Sequence, residues 1–75
     1  MRTIREIAIE IRREWKNISP DALECLIPMY QLDSVNDYFM FDDGKSIVLY
    51  FLSRAGGWRG DSARRIKAEL KSMVA

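Results

Sequence analysis

Adjacent carboxylates stand at Asp42 and Asp43, directly before Gly44-Lys45-Ser46. Paired acids can do general acid–base work, and Gly-Lys-Ser is the end of a phosphate-binding loop. Neither chemistry has its context. A phosphate loop needs a second glycine five positions before Gly44, where Phe39 stands, and Asp42 and Asp43 would repel the phosphates. Side-by-side acids also imply no cleft holding a substrate between them. A calcium loop opening at Asp33 fails at its third position, Val35. The adhesion tripeptide Arg59-Gly60-Asp61 sits where a helix is expected to start. The chain has no histidine and one cysteine, so a Ser–His or Cys–His pair and a closed zinc site cannot be built. The expectation is a non-enzyme without cofactor or metal. Cys25, on an apolar helical face, reads as a small core hydrophobe in a reducing compartment.

Charge is the more informative pattern. The net charge is +1 over 75 residues, but residues 17–44 hold Asp21, Glu24, Asp33, Asp37, Asp42 and Asp43 with no Lys or Arg. That segment carries −6, against +2 for residues 1–16 and +5 for residues 45–75. Aromatic residues Tyr30, Tyr38, Phe39 and Phe41 lie among the acids. Such a surface suits docking on a basic protein, with charge steering the encounter and aromatics anchoring it. Asp33, Asp37, Tyr38, Asp42 and Asp43 are the candidate partner-binding residues. Alternatively Arg59, Arg64, Arg65, Lys67 and Lys71 could lie along a nucleic-acid backbone. A third option is that the acidic and basic segments face each other or are merely solvated.

The elements that must position these groups read as helices. Thr3-Ile4-Arg5-Glu6 has the form of a capping box, followed by Ile4, Ile7, Ala8, Ile11, Trp15 and Ile18 at helical spacing. Ser19-Pro20-Asp21 is a second start signal, with Leu23, Leu26, Ile27 and Tyr30 as its buried stripe. Pro28 should kink or shorten that helix. Ser34 and Asp37 have capping-box spacing. The apolar run Tyr38 to Phe41 suits a strand, but no pairing partner stands out, so it reads as helix end and loop. Ile47, Val48, Phe51, Leu52 and Ala55, with Leu49 and Tyr50 opposite, predict a helix apolar almost all round. Gly56-Gly57 ends it, and Ala63, Ile66, Leu70, Met73 and Val74 mark the last helix. The expected fold is all-α: one compact domain, a helical bundle over residues 1–75, with helices at about 3–17, 20–31, 34–39, 44–54 and 60–73.

Trp15 lies on the first apolar stripe and reads as core, while Trp58 should wedge the junction of the last two helices. Helix, glycine turn and basic helix outline a helix-turn-helix, but the turn is long and Asp61 would face DNA unfavourably. The longest apolar run, Ile47 to Leu52, falls far short of the roughly 20 residues of a membrane span. Charges at Arg2, Arg5 and Glu6 interrupt any signal-peptide core, so a cytoplasmic location is expected.

Ile4-Arg5-Glu6-Ile7-Ala8, Trp15-Lys16-Asn17, Ser46-Ile47-Val48, Tyr50-Phe51-Leu52, Trp58-Arg59-Gly60-Asp61 and Ala63-Arg64-Arg65-Ile66-Lys67 together resemble a group of short phage and prophage proteins of low-GC Gram-positive bacteria. The resemblance spans nearly the whole chain, departs most at Ser19 to Met29 and at Gly56-Gly57, and brings no catalytic residues. It implies binding and blocking a host protein in the bacterial cytoplasm. Inhibitors of CRISPR–Cas nucleases exemplify that class, and those nucleases present basic nucleic-acid channels. Surplus apolar residues such as Ile9, Met40 and Leu49 leave a homodimer open.

Overall fold

A computed structural model describes residues 2–75 and shows four helices and one small hairpin among them. Helix α1 covers Ile4–Glu14 and begins with the expected capping box. The Thr3 Oγ1 accepts from the Glu6 amide at 3.0 Å, and the Glu6 carboxylate accepts from the Thr3 amide at 2.8 Å. Two further first-turn amides find backbone partners: Ile4 donates to the Asp33 carbonyl at 3.1 Å and Arg5 to the Leu32 carbonyl at 2.9 Å. The helix stops three residues before the expected end. Trp15 leaves helical geometry and turns inward, its amide still donating to the Ile11 carbonyl.

Helix α2 covers Pro20–Met29, with Pro20 at its first position, where no amide is needed. The Ser19 side chain makes no capping hydrogen bond, contrary to expectation. Pro28 lies within the last turn, the helix ends at Met29, and the amides of Tyr30, Gln31 and Leu32 close it by donating to the carbonyls of Leu26, Pro28 and Met29. Its phase also differs from the expected stripe. Ala22, Leu26 and Met29 are buried, whereas Leu23 and Ile27 face solvent.

The helix expected at 34–39 does not form. Asp33 to Asp37 make a turn, in which the Asp37 carboxylate accepts from the amides of Asp33 and Ser34. The capping-box spacing therefore closes a turn without starting a helix. Strands β1, Tyr38–Phe39, and β2, Asp42–Asp43, then pair antiparallel with Tyr38 opposite Asp43 and Phe39 opposite Asp42. The strand's missing partner is thus the Asp-Asp pair, reached through Met40 and Phe41. The fold is mostly helical with a two-stranded sheet, not all-α.

Helix α3, Gly44–Arg54, starts and ends as expected, and Asp43 caps it by accepting from the Ser46 amide at 2.7 Å. Gly44 is pressed against the preceding turn: a Cβ there would lie 2.7 Å from the Ser34 carbonyl oxygen and 2.9 Å from the Val35 Cα. Ile47, Val48 and Phe51 are buried, but Leu49 and Tyr50 point outward. The helix is therefore not enclosed on all sides. Helix α4, Asp61–Val74, buries Ala63, Ile66 and Leu70, and Gly60 precedes it at φ 109°.

Phe51, Ile4, Ile7, Ile11, Leu26, Met29, Leu32, Ile66 and Leu70 make one shared core. Trp15 and Trp58 seal one end, stacked with ring centroids 5.2 Å apart, and Trp15 meets Phe51 edge-on. Arg2, Glu10, Arg65 and Glu69 tie the N-terminal residues and α1 to α4, through contacts of 2.6 and 2.7 Å. No described helix is long and apolar enough to cross a membrane.

Candidate functional site

The five acidic-patch residues separate into two kinds. Three carboxylates serve the fold. Asp33 accepts from the Arg5 guanidinium at 2.5 Å, Asp37 closes its turn, and Asp43 caps α3. The Ser46 hydroxyl and amide hold the Asp43 carboxyl below its ordinary range. Tyr38 and Asp42 do no comparable work. Tyr38 is exposed, and the exposed Asp42 carboxylate makes no hydrogen bond or ion pair among the described residues. Asp42 borders a shallow groove of about 350 Å³ between α2 and α3, alongside Cys25, Tyr50 and Arg54.

Between Tyr38 and Asp42 the hairpin turn is made by Met40, expected only as surplus apolar surface, and Phe41, expected as one of the aromatics among the acids but not as a contact residue. Met40 is 79% exposed and Phe41 is 98% exposed. No local signal marks them as a turn: Met40-Phe41 has none of the Gly, Asn or Asp chemistry of a two-residue hairpin turn, and the Asp-Gly pair that follows starts α3 instead. Leu49 and Tyr50 add exposed apolar area on α3.

The basic candidates are also divided. Arg64 pairs with Asp61 and Arg65 with Glu10, each at 2.7 Å, while the Lys67 ammonium donates to the Trp58 carbonyl at 2.7 Å. Arg59 and Lys71 are exposed and make no such contact among the described residues. Burial, then Lys71 and Arg59, push the Lys67 ammonium down. These three cations share a neighbourhood, but the five do not form one free stripe.

Cys25 is half-buried against the core, its thiol 3.8 Å from an Arg54 nitrogen and pushed up by burial. A raised thiol is a poor nucleophile. Both tryptophans are core residues, as expected. A groove of about 780 Å³ runs beside them and carries both signs of charge, from Glu14 and Asp21 to Lys16, Arg54 and Arg59. Among the described residues no group of three or more His, Cys, Asp or Glu is placed to hold a metal ion. Comparison with protein-family models, with curated proteins and with solved structures finds no match.

Proposed function

We propose that this chain is a non-catalytic, phage-encoded binding protein that inhibits a host nucleic-acid enzyme, foremost a defence nuclease of the CRISPR–Cas type, by occupying its basic surface. The observation that carries the reading is the hairpin. Asp42 and Tyr38 are presented to solvent in a segment with no Lys or Arg from residue 17 to residue 44, and neither supports the fold in the way Asp33, Asp37 and Asp43 do. An unpaired carboxylate at Asp42 beside the exposed aromatic rings of Tyr38 and Phe41 supplies both steering and anchoring for a basic partner. The resemblance to small phage proteins points the same way.

A tagged pull-down from bacterial lysate, with and without nuclease treatment, tests it. One host protein retained at stoichiometric level after nuclease is expected, and Asp42→Lys should release it with helix content unchanged. Asp43 is a poor site for that reversal, because its loss uncaps α3. Retention unaffected by Asp42→Lys overturns the acidic-surface reading.

The cluster of Arg59, Lys67 and Lys71 favours one second reading, a nucleic-acid-binding accessory protein. It requires affinity for DNA or RNA that falls steeply with salt. Absence of binding at low salt excludes it.

A further inference from the structure

We infer that the hairpin tip, Met40-Phe41, is the anchor of the interface, and that the partner's basic surface contains an apolar socket that receives it. The inference rests on the docking reading above and adds what the partner must offer.

Two facts about the tip converge. The side chains of Met40 and Phe41 are 79% and 98% exposed, and Tyr38 beside them is 68% exposed, so this apolar area contributes almost nothing to the core. Met40 holds φ 58°, the left-handed conformation that Gly, Asn or Asp adopts far more readily in a two-residue hairpin turn. A methionine there is the wrong residue for the turn and has no internal packing to offset the strain. Its side chain, and that of Phe41, are useful only to something outside the molecule.

The base of the hairpin is pinned. The Gly44 amide donates to the Asp37 carbonyl at 2.7 Å, and the Lys45 amide donates to the Val35 carbonyl at 3.1 Å. Gly44 packs directly on the Ser34–Val35 backbone, and Asp37 ties the turn beneath. A tip held on a fixed base loses little freedom on docking, which is the condition for a few side chains to carry the binding.

Charge selects the occupant. The exposed Asp42, without an ion pair among the described residues, follows the tip directly; at the hairpin base Asp37 and Asp43 accept from backbone amides, Asp33 is paired with Arg5, and Lys45 follows Gly44. A phosphate backbone or an anionic lipid surface would be repelled. A protein pocket lined by apolar side chains and rimmed by Lys or Arg complements both properties.

The test is photo-crosslinking of the full chain in bacterial lysate, with p-benzoylphenylalanine in place of Phe41 and, as control, in place of Arg64. One dominant adduct with a host protein is expected from position 41 and not from position 64, and the cross-linked peptide should be apolar with Lys or Arg adjacent. Phe41→Ala and Met40→Gly should each lower the affinity for that protein at least tenfold while the circular dichroism spectrum is retained. An adduct with a second copy of the chain, or none above the control, overturns the inference. So does a partner released by Asp42→Lys yet insensitive to Phe41→Ala, a result that leaves the docking reading standing. Conversely, a strong adduct with an apolar, basic-rimmed protein that handles no nucleic acid retains the socket and removes the nuclease.

Discussion

The indole of Trp15 lies flat on the indole of Trp58, with their planes only 5° apart. One ring comes from the end of α1 and the other from the loop before α4, so the stack closes the core where α1 leads towards α2 and α3 towards α4. Both rings are almost fully buried.

Trp58→Ala should therefore cost about 3–5 kcal/mol, the range for deleting a buried aromatic. In a domain this small that approaches the whole stability. The urea midpoint at low temperature measures it, and Trp58→Phe should retain a cooperative transition. A loss below about 1 kcal/mol would show that the stack is not integral to the core.

Gly44 offers a sharper comparison. Alanine is favoured over glycine within a helix by roughly 1 kcal/mol. At Gly44, however, the added Cβ would meet Ser34 and Val35 backbone, which cannot give way. Gly44→Ala should destabilise by about 1–3 kcal/mol. At Gly56 and Gly57 nothing lies within 4 Å of the added atom, so alanine there should be near neutral. Equal effects at the three positions in thermal denaturation would contradict the packed turn.

Stability should fall in acid through the Glu10 and Glu69 carboxylates. Arg65, then Arg2, lower the Glu10 carboxyl below its ordinary value of 4.5, and Arg2 lowers that of Glu69. A carboxyl depressed in the folded state stabilises it above the unfolded value and loses that contribution as pH drops through the folded value. The thermal midpoint should thus be flat near neutrality and decline below about pH 4.5. Glu10→Gln should lower the plateau and soften the decline. An unchanged acid limb in that variant would assign the decline to other groups.

How much of this could be read beforehand depends on whether a local signal had a competitor. The start of α1 was legible because Thr3 and Glu6 satisfy each other's amides without tertiary help. The bounds of α3 were legible from Asp43 before it and the glycine pair after Arg54. The phase of α2 was not. Apolar residues occur on both its faces, and the small Ala22, together with Leu26 and Met29, rather than Leu23 and Ile27, enters the core. The hairpin escaped because two-residue strands have no period, and one of them is Asp-Asp, a poor strand former. The site was half legible for the same reason. Charge marked Asp42, but the bareness of Met40 and Phe41 depends on a turn seen only once the strands are paired.

The bonds from Ile4 and Arg5 to the carbonyls of Asp33 and Leu32 have a temporal meaning. During synthesis α1 emerges before α2, yet its leading amides wait for residues made some thirty positions later. Helix α1 is thus completed only after the end of α2 has left the ribosome. Shortening the chain from its far end beyond Leu32 would leave α1 frayed at its beginning, a defect appearing at the opposite end from the cut.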